Sequence, residues 1–167
     1  MNPEISNKDN FKLYSWEKKN QPSVKSERYM STLNDFGEIL HISSFPSWDY
    51  ISEWYSDLAK TKSKSSYETK ELVKEILKGK ENAPVKDKVN AIYDYIVNNV
   101  RYSSIAFRQS GLIPQKATDV ITTKIGDCKD VSTLFVALCK EAGIDAQLVL
   151  INTRENGRED MALPSIE

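Results

Sequence analysis

Two cysteines, Cys128 and Cys139, and a single histidine, His41, are the side chains of this 167-residue chain best suited to covalent or metal chemistry. The two cysteines are expected on one helix, where positions 128 and 139 would lie roughly 16 Å apart along the axis. A disulfide needs Cα atoms about 4.4–6.8 Å apart, so the two do not pair with each other. Two thiols and one histidine are also too few for a zinc site, and nothing in the sequence calls for a metal or an organic cofactor. Cys128 is therefore either a buried apolar residue or a reactive thiol.

Its surroundings favour reactivity without deciding it. The local string is Gly126-Asp127-Cys128-Lys129-Asp130. Asp127 is a good N-cap, which puts Cys128 at the first helical position, where free backbone N–H groups and the positive end of the dipole favour a thiolate. The same N–H groups can point at an oxyanion when a carbonyl carbon is attacked. Gly126 lets the backbone approach closely and turn into the helix. Lys129 adds positive charge, and Asp127 and Asp130 oppose it. Helical periodicity, however, puts Cys128 on the stripe of Val131, Phe135, Leu138 and Cys139, the expected core face. Pattern alone leaves a core thiol and a nucleophile both open. For Cys139, in mid-helix beside Leu138 and Ala142, a core thiol is expected.

The elements that must position this string are mostly helical. Residues 11–45 read as short extended pieces punctuated by Asn20, Pro22, Asn34, Asp35 and Gly37, with a short strand over 39–43. Ser47 is a suitable N-cap for a helix carrying Ile51, Trp54, Tyr55 and Leu58, which the polar run 60–66 ends. Ser65 and Glu68 fit a capping box before Leu72, Val73, Ile76 and Leu77, with Gly79 as the stop. Pro84 suits the first turn of a helix striped by Val89, Ile92, Tyr93, Ile96 and Val100. Residues 101–116 read as an ordered loop and 117–123 as one or two helical turns. A strong helix then spans 128–142, closed by Gly143. The apolar run 146–151 predicts a buried strand, and 152–160 a polar turn containing Gly157.

Composition narrows the classes. The chain is 40% hydrophobic and 28% charged, with a net charge of −1, which argues for a folded domain over disorder. Acidic and basic residues are interleaved, so no nucleic-acid-binding stripe is present, and no apolar stretch is long enough to insert in a membrane. The polar start of the chain has no signal-peptide core.

The stretch 100–151 resembles the transglutaminase-like, papain-type cysteine enzymes, in the bacterial architecture that places this core after a β domain of unknown function. The matching residues are Arg101-Tyr102-Ser103-Ser104-Ile105, Gly111, Pro114, the string 126–130 with its apolar helix, and Gly143-Ile144-Asp145-Ala146 before Val149-Leu150-Ile151. Upstream, Tyr14-Ser15-Trp16 through Glu27-Arg28-Tyr29 resembles the end of the β domain, and residues 43–55 its junction with the first helix.

The resemblance implies an α+β, predominantly helical fold: the helical half of a transglutaminase-like domain with an N-terminal β-domain remnant. It implies a division into a β remnant at 1–46, a helical linker at 47–83 and the N-terminal part of the core at 84–167. It implies that Cys128 is a nucleophile for acyl transfer on peptide or glutamine amides of a peptide or protein substrate, supported by Gly126, Asp127, Lys129 and Asp130. A histidine base and an aspartate would follow on later strands. His41 precedes the nucleophile and is expected at the surface or in a strand. Leu163-Pro164-Ser165 resembles the lead-in to the histidine strand, so the chain is expected to stop short of its base and to be inactive alone. The alternative is a non-catalytic interaction module on the same fold. Gln109 and Gln115 are expected as solvated loop residues, although related sites sometimes use an upstream glutamine. Tyr102, Trp48 and Trp54 are expected to serve packing. Self-association through the edge of the 146–151 strand is expected. The resemblance suggests an exported or periplasmic bacterial protein.

Overall fold

The computed structural model describes residues 2–104, 111–151, 153 and 163–166. The first strands, β1 (Glu4–Lys8) and β2 (Phe11–Ser15), pair antiparallel from Glu4 opposite Ser15 to Lys8 opposite Phe11. Asp9 and Asn10 make the turn, with Asp9 in the left-handed region at φ 54°, a conformation that a short polar side chain tolerates. Every residue of this hairpin is exposed. The strand expected at 39–43 does not form: those residues have no regular structure, and none of the sheets among the described residues includes them. A single helical turn, α1 (Leu33–Phe36), occupies the region read as turns.

Five further helices carry the core. In α2 (Trp48–Ala59), Ser47 caps the start by accepting from the Tyr50 N–H, and Ile51, Tyr55 and Ala59 are buried. The next helix, α3 (Tyr67–Ile76), is capped by Ser66 and Thr69 rather than by the expected Ser65 and Glu68. The box shifts by one because the Thr69 hydroxyl has two tasks. It accepts from the Ser66 N–H at 2.9 Å and donates to Glu141 Oε1 at 3.0 Å, at the end of the last of these helices. Then come α4 (Val85–Asn99), entered from Pro84, the short α5 (Ala117–Thr123) and α6 (Cys128–Glu141). In α4, Ile92 and Ile96 are buried as the periodicity requires, whereas Tyr93 is 58% exposed.

The central helix is α6, which packs on α3, α4 and α5. Leu134 and Leu138 are fully buried among Leu72, Val73, Leu77, Ile92, Ile96 and Val120. Cys139 lies in the same cluster, and burial pushes its thiol pKa up. It is the core thiol that its position predicted. Its helix ends in a Schellman motif: Gly143 turns at φ 73°, its N–H donates to Lys140 O, and the Ile144 N–H donates to Cys139 O.

Two backbone links fix the approach to α6. The Ala117 N–H donates to Lys62 O at 2.9 Å, which ties α5 to the α2–α3 connection. A two-residue parallel ladder, β3 (Arg101–Tyr102) with β4 (Ile125–Gly126), then places residues 101–103 beside the start of α6. The region read as a loop thus begins with a strand. Lys124, in the left-handed region at φ 56°, donates to the Tyr95 hydroxyl at 2.7 Å and links this corner to α4.

Beyond α6, residues 144–151 form no strand. Val149 and Ile151 are 76% and 79% exposed, so the buried strand expected at 146–151 is replaced by an apolar, solvent-facing segment. Apolar composition drives burial, but a strand also needs a neighbouring backbone; none of the described residues pairs with this one. The polar turn expected at 152–160 lies, apart from Asn152's neighbour Thr153, outside the described residues. No described helix is long and apolar enough to cross a membrane. The architecture is mixed α and β, with helices dominating.

Candidate active site

The string 126–130 folds into one tight turn whose parts hold each other. Asp127 caps α6 and forms a reciprocal box with Asp130. The Asp130 N–H donates to Asp127 Oδ1 at 3.4 Å, and the Asp127 N–H donates to Asp130 Oδ2 at 3.1 Å. Both carboxylates are buried, at 4% and 2% exposure. The Asp127 carboxylate also pairs with the Lys129 ammonium.

Gly126 is needed here for space. A Cβ at that position would lie 2.8 Å from Asp130 Cβ, with Val120 and Val131 methyl groups at 3.6 Å. Asp130 is pinned by its hydrogen bonds and cannot withdraw. Gly126→Ala is therefore expected to destabilise the fold by about 1–3 kcal/mol, as overpacking does. Denaturant titration measures it.

A fourth participant, Gln115, comes from the segment before α5. Its backbone N–H donates to Asp130 Oδ1 at 2.7 Å, and its amide Nε2 donates to Oδ2 at 2.9 Å. Gln115 is half-buried, so the expectation of a solvated loop residue is corrected: its amide is committed to Asp130. Burial alone would raise the Asp130 pKa. The Gln115 backbone and side-chain donors, the Asp127 N–H and the Lys129 charge outweigh it and hold that carboxyl below the ordinary aspartate value.

Cys128 stands apart from this buried network. It is exposed, which corrects its expected burial on the core stripe. The buried arc of α6 runs through Asp130, Leu134, Ala137 and Leu138, whereas Val131 and Phe135 are only half-buried. Cys128 shares a helical face with the buried Cys139, about 20° away in net rotation, so its exposure comes from its place at the open first turn of α6 and not from the face it lies on. The helix start also has donors to offer. Asp127 takes up the N–H groups of Asp130 and, through its carbonyl, Val131. The N–H groups of Cys128 and Lys129 are the ones that neither the cap nor the helical ladder uses. An exposed sulfur thus sits at the positive end of a helix anchored in the core, beside two backbone donors.

Around it, Tyr55 arrives from α2. Its ring is buried, which pushes the phenol pKa up, while the charge of Lys129 lowers it and those of Cys128 and Asp127 raise it. This helix therefore brings Tyr55 within electrostatic range of the Cys128 turn, a contribution that the stripe on α2 did not signal. Tyr102 is 64% exposed and is held by its ladder pairing with Gly126, so packing does not account for it. Trp48 and Trp54 are half-buried, with the Trp54 ring 6.5 Å from that of Tyr55. His41 is exposed and lies outside any strand. Gln109 lies outside the described residues. Among the described residues, no cluster of three or more His, Cys, Asp or Glu side chains could hold a metal ion.

The site is thus an exposed cysteine that opens a core helix of a mixed α/β domain, behind a glycine and a capping aspartate. The model of the transglutaminase-like superfamily matches residues 70–163, more than half of the chain, and the chain belongs to that superfamily. The matched residues begin within α3, whose Leu72, Val73 and Leu77 share the core with α6. No curated protein and no solved structure matches the chain.

Proposed function

We propose that this chain is the nucleophile-bearing part of a cysteine hydrolase or acyltransferase acting on peptide or glutamine amides. One observation carries this: Cys128 is exposed at the first turn of α6, while Asp127 and Asp130 of the same turn are buried and hydrogen-bonded. In the step proposed, the Cys128 thiolate attacks the amide carbonyl carbon, and the Cys128 and Lys129 N–H groups receive the oxyanion. Collapse breaks the C–N bond, the amine leaves with a proton, and a thioester remains on Cys128. Water or a second amine then takes the acyl group.

Expulsion of the amine needs a proton donor, for which the superfamily resemblance implies a histidine placed after the nucleophile. His41, the one histidine of this sequence, precedes it. The chain on its own is therefore expected to turn over amides poorly but to accept an acyl group from an ester whose leaving group needs no protonation. Incubation with p-nitrophenyl acetate followed by peptide mapping tests this. One acetyl group on Cys128, absent in Cys128→Ser, is the expected result. Acetylation of neither cysteine, or of Cys139 alone, would contradict the proposal.

A further inference from the structure

One local rule is broken at this turn. Lys129 occupies the second position of α6, where a cation opposes the helix dipole. Asp127 needs only an oxygen to cap the helix, and an asparagine or serine would serve equally. Yet both charges are present, ion-paired, and withdrawn from water, with side-chain exposures of 12% and 5%. Taking two charges out of water is costly, and apolar residues of similar volume often give equal stability. Capping accounts for Asp127 but not for Lys129. What distinguishes the place is Cys128, one residue from each of the two charges.

We infer that Lys129 is a positioning residue that cancels the charge of the Asp127 cap, so that the Cys128 sulfur sees the positive helix end without the carboxylate that makes the cap. This rests on the nucleophile reading of Cys128. The other groups facing the pair do not take over its task. Asp130, on α6, is committed to Gln115 and to the Asp127 N–H. Gln115, from the segment before α5, is uncharged. Tyr55, from α2, is held neutral by burial.

Iodoacetamide labelling of Cys128, followed across pH by peptide mapping, tests the inference on the full chain. Lys129→Met is expected to slow labelling near pH 6 by about five- to tenfold, the scale of one nearby charge at a partly exposed site. Lys129→Arg should restore the rate. Asp127→Asn, which keeps a capping oxygen, should speed labelling by a similar factor, and Lys129→Met/Asp127→Asn should return close to the parent. A purely structural pair would shift both single variants in the same direction and make the double variant the most altered. That result, or single variants that leave the profile unmoved, overturns the inference. If Lys129→Met fails to fold with Asp127 left unpaired, Asp127→Asn decides: faster labelling supports the inference, and equal or slower labelling overturns it. Failure of the nucleophile reading is distinguishable. It would show as slow labelling of the parent, whichever way the variants move.

Discussion

Asp130→Ala is expected to destabilise the domain by about 3 kcal/mol or more, although the group it removes is polar. The substitution strips acceptors from three N–H donors at once: the Gln115 backbone, the Gln115 amide and the Asp127 backbone. Each buried donor left unpaired costs about 1–3 kcal/mol. Total stability of a domain this size is only about 5–15 kcal/mol, so the loss is a large part of it. Asp130→Asn is the sharper variant because it conserves volume. Whichever way its amide turns, its NH₂ must face at least one of these donors, and at least one hydrogen bond becomes a donor–donor contact. Chemical denaturation of the parent and both variants measures these costs.

The same network sets the acid limit. The Asp130 pKa is lowered in the folded chain, so the unfolded state binds its proton at higher pH than the folded state does. Its contribution to stability is complete above the unfolded value of about 3.9 and is lost as pH falls through the lower folded value. The parent should therefore lose stability on acidification below about pH 4. Asp130→Asn, with no proton to take up there, should show a shallower acid limb. Equal limbs would mean that Asp130 is not held as a carboxylate.

These expectations show what sequence can and cannot reveal in this fold. The helices α2, α4 and α6 were legible because burial on one face leaves a periodic stripe, and the Asp127 cap and the Gly143 stop were legible because each works within its own turn. The Ser66–Thr69 box was misplaced by one residue because Thr69 also answers to Glu141, 72 residues away. The 146–151 strand failed for a related reason. Val149, Leu150 and Ile151 are apolar enough for a strand, but pairing depends on a partner that composition does not name.

At the site, the string 126–130 was legible and the exposure of Cys128 was not. Periodicity put Cys128 on the face of the buried Cys139, but a periodic stripe does not tell that the first turn of the helix stays open to solvent. Gln115 offered no local signal, since its partner is 15 residues further along the chain. Tyr55 looked like one more member of an apolar stripe, and only the packing of α2 brings it within electrostatic range of Cys128.

The second large effect concerns that cysteine. Cys128 is exposed at the first turn of a helix, beside uncapped N–H donors, whereas Cys139 is enclosed by the core and its thiol pKa is raised. The two cysteines of one helix should therefore differ widely in reactivity. The direct measurement is the rate of iodoacetamide labelling at each cysteine of the folded chain near pH 6, with a free thiol peptide as reference. Cys128 is predicted to label about tenfold faster than the peptide or more, with Cys139 unlabelled until the chain unfolds. Labelling of Cys128 no faster than the peptide would contradict its assignment as an activated nucleophile.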